Sequence, residues 1–87
     1  MWHVYVLLSR VDGNKYVGMT NDLKRRLGMH NSGKVYATRD RVPLYPIYIE
    51  SYLDQHDAAV REKFLKSGWG KRHLAKILKN WYKKLGG

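Results

Sequence analysis

From Trp2 to Ser9 apolar residues occupy both phases of a period-two pattern. Val4, Val6 and Leu8 alternate against His3, Tyr5 and Leu7. This predicts a strand. Asp12-Gly13 is a turn signal, and Lys15 to Met19 predicts a second, shorter strand. With a two-residue loop Val11 pairs with Asn14, and Tyr5 lies opposite Thr20. Tyr5, Tyr16 and Gly18 then share one face, and a one-residue slip would separate the two tyrosines.

The period then changes to that of a helix. Thr20 or Asn21 can cap it, with Asp22 in the first turn and Gly33 as the stop after Asn31. Leu23 and Leu27 point to the core, and Arg26 and His30 stack four apart on a neighbouring face. Gly28 costs about 1 kcal/mol against alanine inside a helix, which suggests close packing or a backbone that something approaches. Lys34 to Arg41 predicts a polar, basic loop. Leu44 to Leu53 predicts a third strand, with Pro46 arguing for a sheet edge or a late start. Asp54 or Asp57 caps a second helix, which ends at Ser67-Gly68. A third helix runs from Gly70, with Leu74, Ile77, Leu78, Trp81 and Leu85 on one stripe and Arg72, Lys76, Lys79 and Lys83 opposite. The expected order is ββαβαα, an α+β fold with a small three-stranded antiparallel sheet flanked by helices.

Length and charge narrow the class. Eighty-seven residues suit one small domain, residues 1–87. There is no cysteine, hence no disulfide and no thiolate metal site. No apolar run reaches membrane-spanning length, and Trp2 to Leu8 lacks the basic start and cleavage site of a signal peptide. A soluble cytoplasmic protein with no membrane partner is expected. Seventeen basic residues against seven acidic give a net charge of +10. Such a surface favours a polyanion, nucleic acid first. Charge alone does not separate an enzyme from a binding module or a basic scaffold.

Five residues can carry chemistry. Tyr5 and Tyr16 are poor bases in water, but a nearby cation such as Arg26 favours a phenolate. Arg26 offers a planar, always-charged fork for phosphate. His30 can relay a proton. Glu62 is the only acid from Ala58 onward, against nine Lys and Arg. One carboxylate suffices for Mg²⁺ when water and phosphate complete the shell. Each has an ordinary alternative: packed strand tyrosines, a solvated arginine, a helix-end histidine, a Glu62–Lys66 pair. Lys24 and Arg25, together with Lys34, Tyr36, Arg39 and Arg41, are candidates for following a nucleic-acid backbone and stacking a base. Trp69 is expected to close the core.

Together these residues resemble the GIY-YIG nuclease superfamily in its minimal, single-domain form, similar to the N-terminal domain of the excinuclease member of that superfamily. The motifs are His3-Val4-Tyr5, Tyr16-Val17-Gly18, Arg26 ten residues on and His30 four further. The Tyr36-Ala37-Thr38 run and Glu62 follow, over about residues 3–75. The resemblance implies a metal-dependent DNA endonuclease serving repair, recombination or mobile-element processing. It implies that Tyr5 and Tyr16, with His30, position and deprotonate water. Arg26 would stabilise the phosphorane-like charge, and Glu62 would hold one Mg²⁺ or Mn²⁺ ion at the leaving oxygen. A non-catalytic nucleic-acid-binding module of the same fold is the alternative. Members of this superfamily usually take their specificity from added domains, so the resemblance leaves two routes to a target open: a targeting protein partner, or preference for a DNA structure such as a nick, flap or branch. His3-Val4 replaces Gly-Ile of the first motif. Asn80 is the one candidate for the asparagine that many members carry after the glutamate, and it lies off the apolar stripe.

Overall fold

The computed structural model describes residues 1–86. Strand β1 is Trp2–Ser9, β2 Lys15–Thr20 and β3 Leu44–Tyr52. Helix α1 is Leu23–Asn31, α2 Gln55–Lys66, α3 Gly68–Ile77 and α4 Lys79–Gly86. The strands form one antiparallel sheet in the order β2-β1-β3. This is the α+β architecture expected from the sequence.

β1 is central and serves two cores. Val4 and Val6 pack with Val17, Ala58, Leu65, Leu74 and Leu78 on the face covered by α2 and α3. Tyr5 and Leu7 pack with Leu44 on the other face, against Leu23 and Leu27 of α1. All four of these β1 side chains are fully buried. A strand covered on both faces has no polar phase, which explains the run Val4-Tyr5-Val6-Leu7-Leu8.

The hairpin register differs from the expected one. Ser9 N–H donates to Asn14 O and Gly13 N–H to Ser9 O, so the loop is longer than Asp12-Gly13. Gly13 takes a φ of +71°, which its missing Cβ permits. The pairs are His3 with Thr20, Tyr5 with Gly18 and Leu7 with Tyr16. The slip is two residues, so side-chain parity is kept and Tyr5 and Tyr16 still share a face.

Asp22, rather than Thr20 or Asn21, caps α1 by accepting from Arg25 N–H at 3.1 Å. At the other end Gly33 N–H donates to His30 O and Lys34 N–H to Met29 O. With Gly33 at φ +77°, this is a Schellman closure. A Cβ at Gly28 would meet nothing within 4 Å, so close packing does not account for that glycine.

Three further expectations need correction. Residues 36–41 form a 3₁₀ helix, Tyr36–Arg41, rather than a loop. The last helix starts at Gly68 and breaks at Leu78, giving α3 and α4, so its apolar stripe is interrupted and Ile77 and Leu85 remain exposed. Trp69 does not close the core but is 72% exposed. Ser67 ends α2 and caps α3, accepting from Gly70 N–H. A Cβ at Gly70 would collide with Phe64 O, so the two helices meet backbone to backbone there. Pro46 sits on outer strand β3 where the register shifts between Val6 and Leu7, a position that needs no ladder donor.

Candidate active site

Tyr5 points away from the α2 core, and its ring crosses β2 at Gly18. A Cβ on residue 18 would collide with Tyr5 Oη, so only glycine admits the ring. The glycine of the second motif therefore makes room for the tyrosine of the first. The crossing carries the Tyr5 hydroxyl towards the outer edge of the sheet.

Two side chains of α1 hold that hydroxyl. Arg26 Nε–H donates to Tyr5 Oη at 3.3 Å. His30 Nε2 lies 2.9 Å from the same oxygen. The i,i+4 spacing of Arg26 and His30 puts both on the helix face turned to the sheet. Tyr16 meets the His30 ring edge-on at 5.1 Å between centroids. The structure thus brings Tyr5, Tyr16, Arg26 and His30 together.

His30 is fully buried, and its other nitrogen, Nδ1, lies 2.7 Å from Thr38 Oγ1. The 3₁₀ helix turns Thr38 inward to make that contact. Thr38 was legible only as part of the Tyr36-Ala37-Thr38 run, and no spacing rule marks it as the partner of His30. Asn31 bonds both the N–H and the C=O of Leu44 at 2.7 Å, tying the end of α1 to the start of β3.

Burial governs the charge states. It pushes the Tyr5 hydroxyl above its ordinary value, outweighing the Arg26 hydrogen bond and charge, with the Tyr16 and Glu62 charges raising it further. The phenolate that a neighbouring arginine would favour is therefore disfavoured in the free protein. Burial first, then the Arg26 charge, brings His30 down to about 4. At neutral pH Tyr5 and His30 are therefore neutral beside a charged Arg26. Its own pKa is raised, chiefly by the bond to Tyr5.

Glu62 approaches from the opposite face. It lies on α2, partly buried, with Lys66 Nζ 3.2 Å from its Oε2. α1 and α2 cover different faces of the sheet, and the charges of both Arg26 and Glu62 act on Tyr5. Among the described residues no group of three or more His, Cys, Asp or Glu could hold a metal. The donor set at Glu62 is one carboxylate. That fits a hard, largely hydrated Mg²⁺ or Mn²⁺ completed by substrate oxygen, and it does not fit a tightly held resident ion.

The expected nucleic-acid contacts are scattered. Lys24, Arg25, Lys34 and Arg39 are exposed or partly exposed, and Arg25 lines a cleft with Arg26. Tyr36 is 80% exposed, with the Arg39 guanidinium 4.5 Å from its ring centre. Arg41 instead faces inward along the hairpin. Its Nε–H donates to Asp12 Oδ2 at 2.7 Å, and its Nη2 donates to the carbonyl of Asn14. Asn80 is exposed at the start of α4.

A second polar cluster has no signal in the sequence spacing. Glu50 on β3 accepts from Tyr48 and Tyr52 hydroxyls and from Arg61 Nε and Nη2. Arg61 Nη2 also reaches His73 Nε2 at 2.9 Å. Against the cost of burial, the Arg61 and tyrosine bonds bring Glu50 down to about 2.

Comparison with known proteins identifies the family. The profile of the GIY-YIG catalytic domain matches residues 1–77. A UPF0213 protein of Streptococcus pneumoniae serotype 4 is 43% identical over 65 residues, covering 74% of this chain and 65% of that protein. This chain thus spans slightly less than two thirds of that relative's length. A UPF0213 protein of Pediococcus acidilactici is 40% identical over 82 residues, covering 91% of this chain and 82% of the relative. The solution NMR structure of a UPF0213 protein from Bacillus halodurans superimposes with a TM-score of 0.56 at 32% identity, over 88% of this chain and 85% of that one. The profile spans both tyrosines, the strand glycine two residues after the second, the arginine and histidine one turn apart and the glutamate of α2: the chain belongs to the GIY-YIG nuclease family.

Proposed function

We propose that this chain is a DNA endonuclease that hydrolyses a phosphodiester with the help of one divalent metal ion. The observation that carries the proposal is the Tyr5 hydroxyl, held between Arg26 at 3.3 Å and His30 at 2.9 Å. That oxygen accepts from a fixed cation and has a neutral imidazole beside it. With the His30 proton on Nδ1, donated to Thr38 Oγ1, Nε2 is free to accept from Tyr5. Tyr5 then takes a proton from an attacking water as it passes its own to His30. A relay of this kind needs a neutral histidine at the start, which burial and Arg26 secure. Arg26 would stabilise the charge that grows on the phosphate, and Tyr16, packed edge-on against the His30 ring, would help to position the water. Glu62 would hold the ion, which supplies positive charge at the leaving oxygen. Lys66 neutralises Glu62 in the free protein.

The substrate is DNA, read from the +10 charge together with the family chemistry. The test is nicking of supercoiled plasmid and of branched DNA in Mg²⁺ or Mn²⁺, wild type beside Glu62→Ala. Cleavage by wild type and at least roughly a hundredfold loss in the variant is expected, with binding kept. Equal cleavage by both would remove Glu62 from the mechanism. Binding without cleavage by either would favour the non-catalytic module.

A further inference from the structure

β2 is an outer strand, and its far edge is paired with no other strand among the described residues. Its residues divide between two clefts. Met19 and Thr20 line one of about 340 Å³ together with Arg25 and Arg26. Lys15, Tyr16 and Val17 line another of about 210 Å³, walled by Lys66 of α2 and Lys71 of α3. Gly18 lines neither, and it is where the Tyr5 ring crosses the strand. A third cleft, of about 500 Å³, shares Lys15 and Lys71 with the second and continues to Arg41 and the hairpin loop. Along β2 the second cleft thus borders residues 15–17 and the first borders residues 19–20, while Gly18, with the buried Tyr5 ring over it, falls between them in the strand.

The lysines of this groove come from three elements that sequence separates. Lys15 lies on β2, Lys66 on the last turn of α2 and Lys71 on the first turn of α3. No acid lines the second or third cleft. Of the basic residues of the groove, Lys66 is paired with Glu62, its side chain 51% exposed, and Arg41 is paired with Asp12. Cations converging on one groove repel each other unless an anion lies between them.

We propose that one nucleic-acid strand lies along the outer edge of β2, its phosphates held by Lys15, Lys66 and Lys71 on one side of Tyr5 and by Arg25 on the other. Placing the cut opposite Gly18 rests on the nuclease reading above, whereas the binding track does not. A six-residue strand spans roughly 20 Å, a length suited to a few nucleotides of one strand. Beside Lys15 this route passes between the sheet edge and α2/α3, and neither Tyr36 nor Arg39 of the 3₁₀ helix lines it.

The test is equilibrium binding of labelled single-stranded and duplex oligonucleotides in EDTA across a salt series. Lys15→Glu and Lys71→Glu are compared with Lys76→Glu, which reverses an exposed charge of α3 that lines none of these clefts. Melting curves confirm that each variant is folded. Each groove variant should weaken binding about tenfold or more and flatten the salt slope by about 0.7–0.9, whereas Lys76→Glu should change affinity about twofold at most. Equal losses in all three would show binding by overall charge and overturn the track, as would no loss in any. Self-association of the wild type that either groove variant abolishes would also overturn it, because the edge would then pair with a second copy. A groove-specific loss in a wild type that never cleaves would sink the nuclease reading and leave the track standing. Cleavage by the wild type, with binding unaltered in the lysine variants, would do the reverse.

Discussion

Two clusters of tyrosine, arginine and histidine flank the same sheet, and they use those residues differently. On the α2 face Glu50 accepts from two tyrosines and twice from Arg61. Four donors saturate its two oxygens, so the carboxylate has little capacity left for a ligand. That cluster ties β3 to α2 and, through His73, to α3. On the α1 face Arg26 has no salt bridge among the described residues. Tyr5 and His30 are kept neutral by burial, and the Tyr5 oxygen has hydrogen-bonding capacity beyond Arg26 and His30. A saturated network fixes geometry, whereas one with a spare lone pair beside a cation can do chemistry. The clusters share residue types, so the difference lies in what surrounds them.

The largest test of that contrast exchanges the two arginines as targets. Arg26→Ala should lower cleavage about 10²- to 10³-fold, as expected for loss of a preorganised charge stabiliser, and should leave the melting temperature nearly unchanged. Arg61→Ala should do the opposite. It leaves Glu50 without its cation and should cost about 2–3 kcal/mol of stability, below the fully buried case because both partners are partly exposed. Denaturant melts and nicking rates on both variants check this. A stability loss in Arg26→Ala as large as in Arg61→Ala would erase the distinction.

Acid should address the clusters one after the other. The folded His30 value of about 4 lies below its unfolded value of 6.5, so between those limits the unfolded chain binds the extra proton. Stability should therefore fall as pH drops from about 6.5 towards 4, by up to roughly 3 kcal/mol. Glu50 is also depressed, to about 2 from 4.5, so a second loss should follow as pH drops through that window. Denaturant melts across pH would resolve the two limbs. His30→Gln should remove the first and spare the second. A first limb that persists in that variant would show that another group produces it.

Much of the site was legible because short periodicities set it. The hairpin parity put Tyr5 and Tyr16 on one face, and it survived a wrong loop length because the slip was two residues. Four-residue helical spacing stacked Arg26 and His30. What stayed hidden depends on elements meeting in space. Thr38 reaches His30 only because its segment coils into a 3₁₀ helix. Arg61 meets Glu50 across eleven residues of chain. Lys15, Lys66 and Lys71 converge only once α2 and α3 pack beside β2. Trp69 misled because an aromatic between glycines reads as core, whereas the close backbone contact at Gly70 turns its neighbour out to solvent.

The central claim is that the Tyr5 hydroxyl performs chemistry rather than packing. Tyr5→Phe keeps the ring over Gly18 and removes only the oxygen. The decisive measurement is the metal-dependent nicking rate of this variant beside wild type, with circular dichroism confirming the fold. Loss of cleavage in a folded protein that still binds DNA is predicted. Cleavage at the wild-type rate would contradict the account and reduce Tyr5 to a core residue.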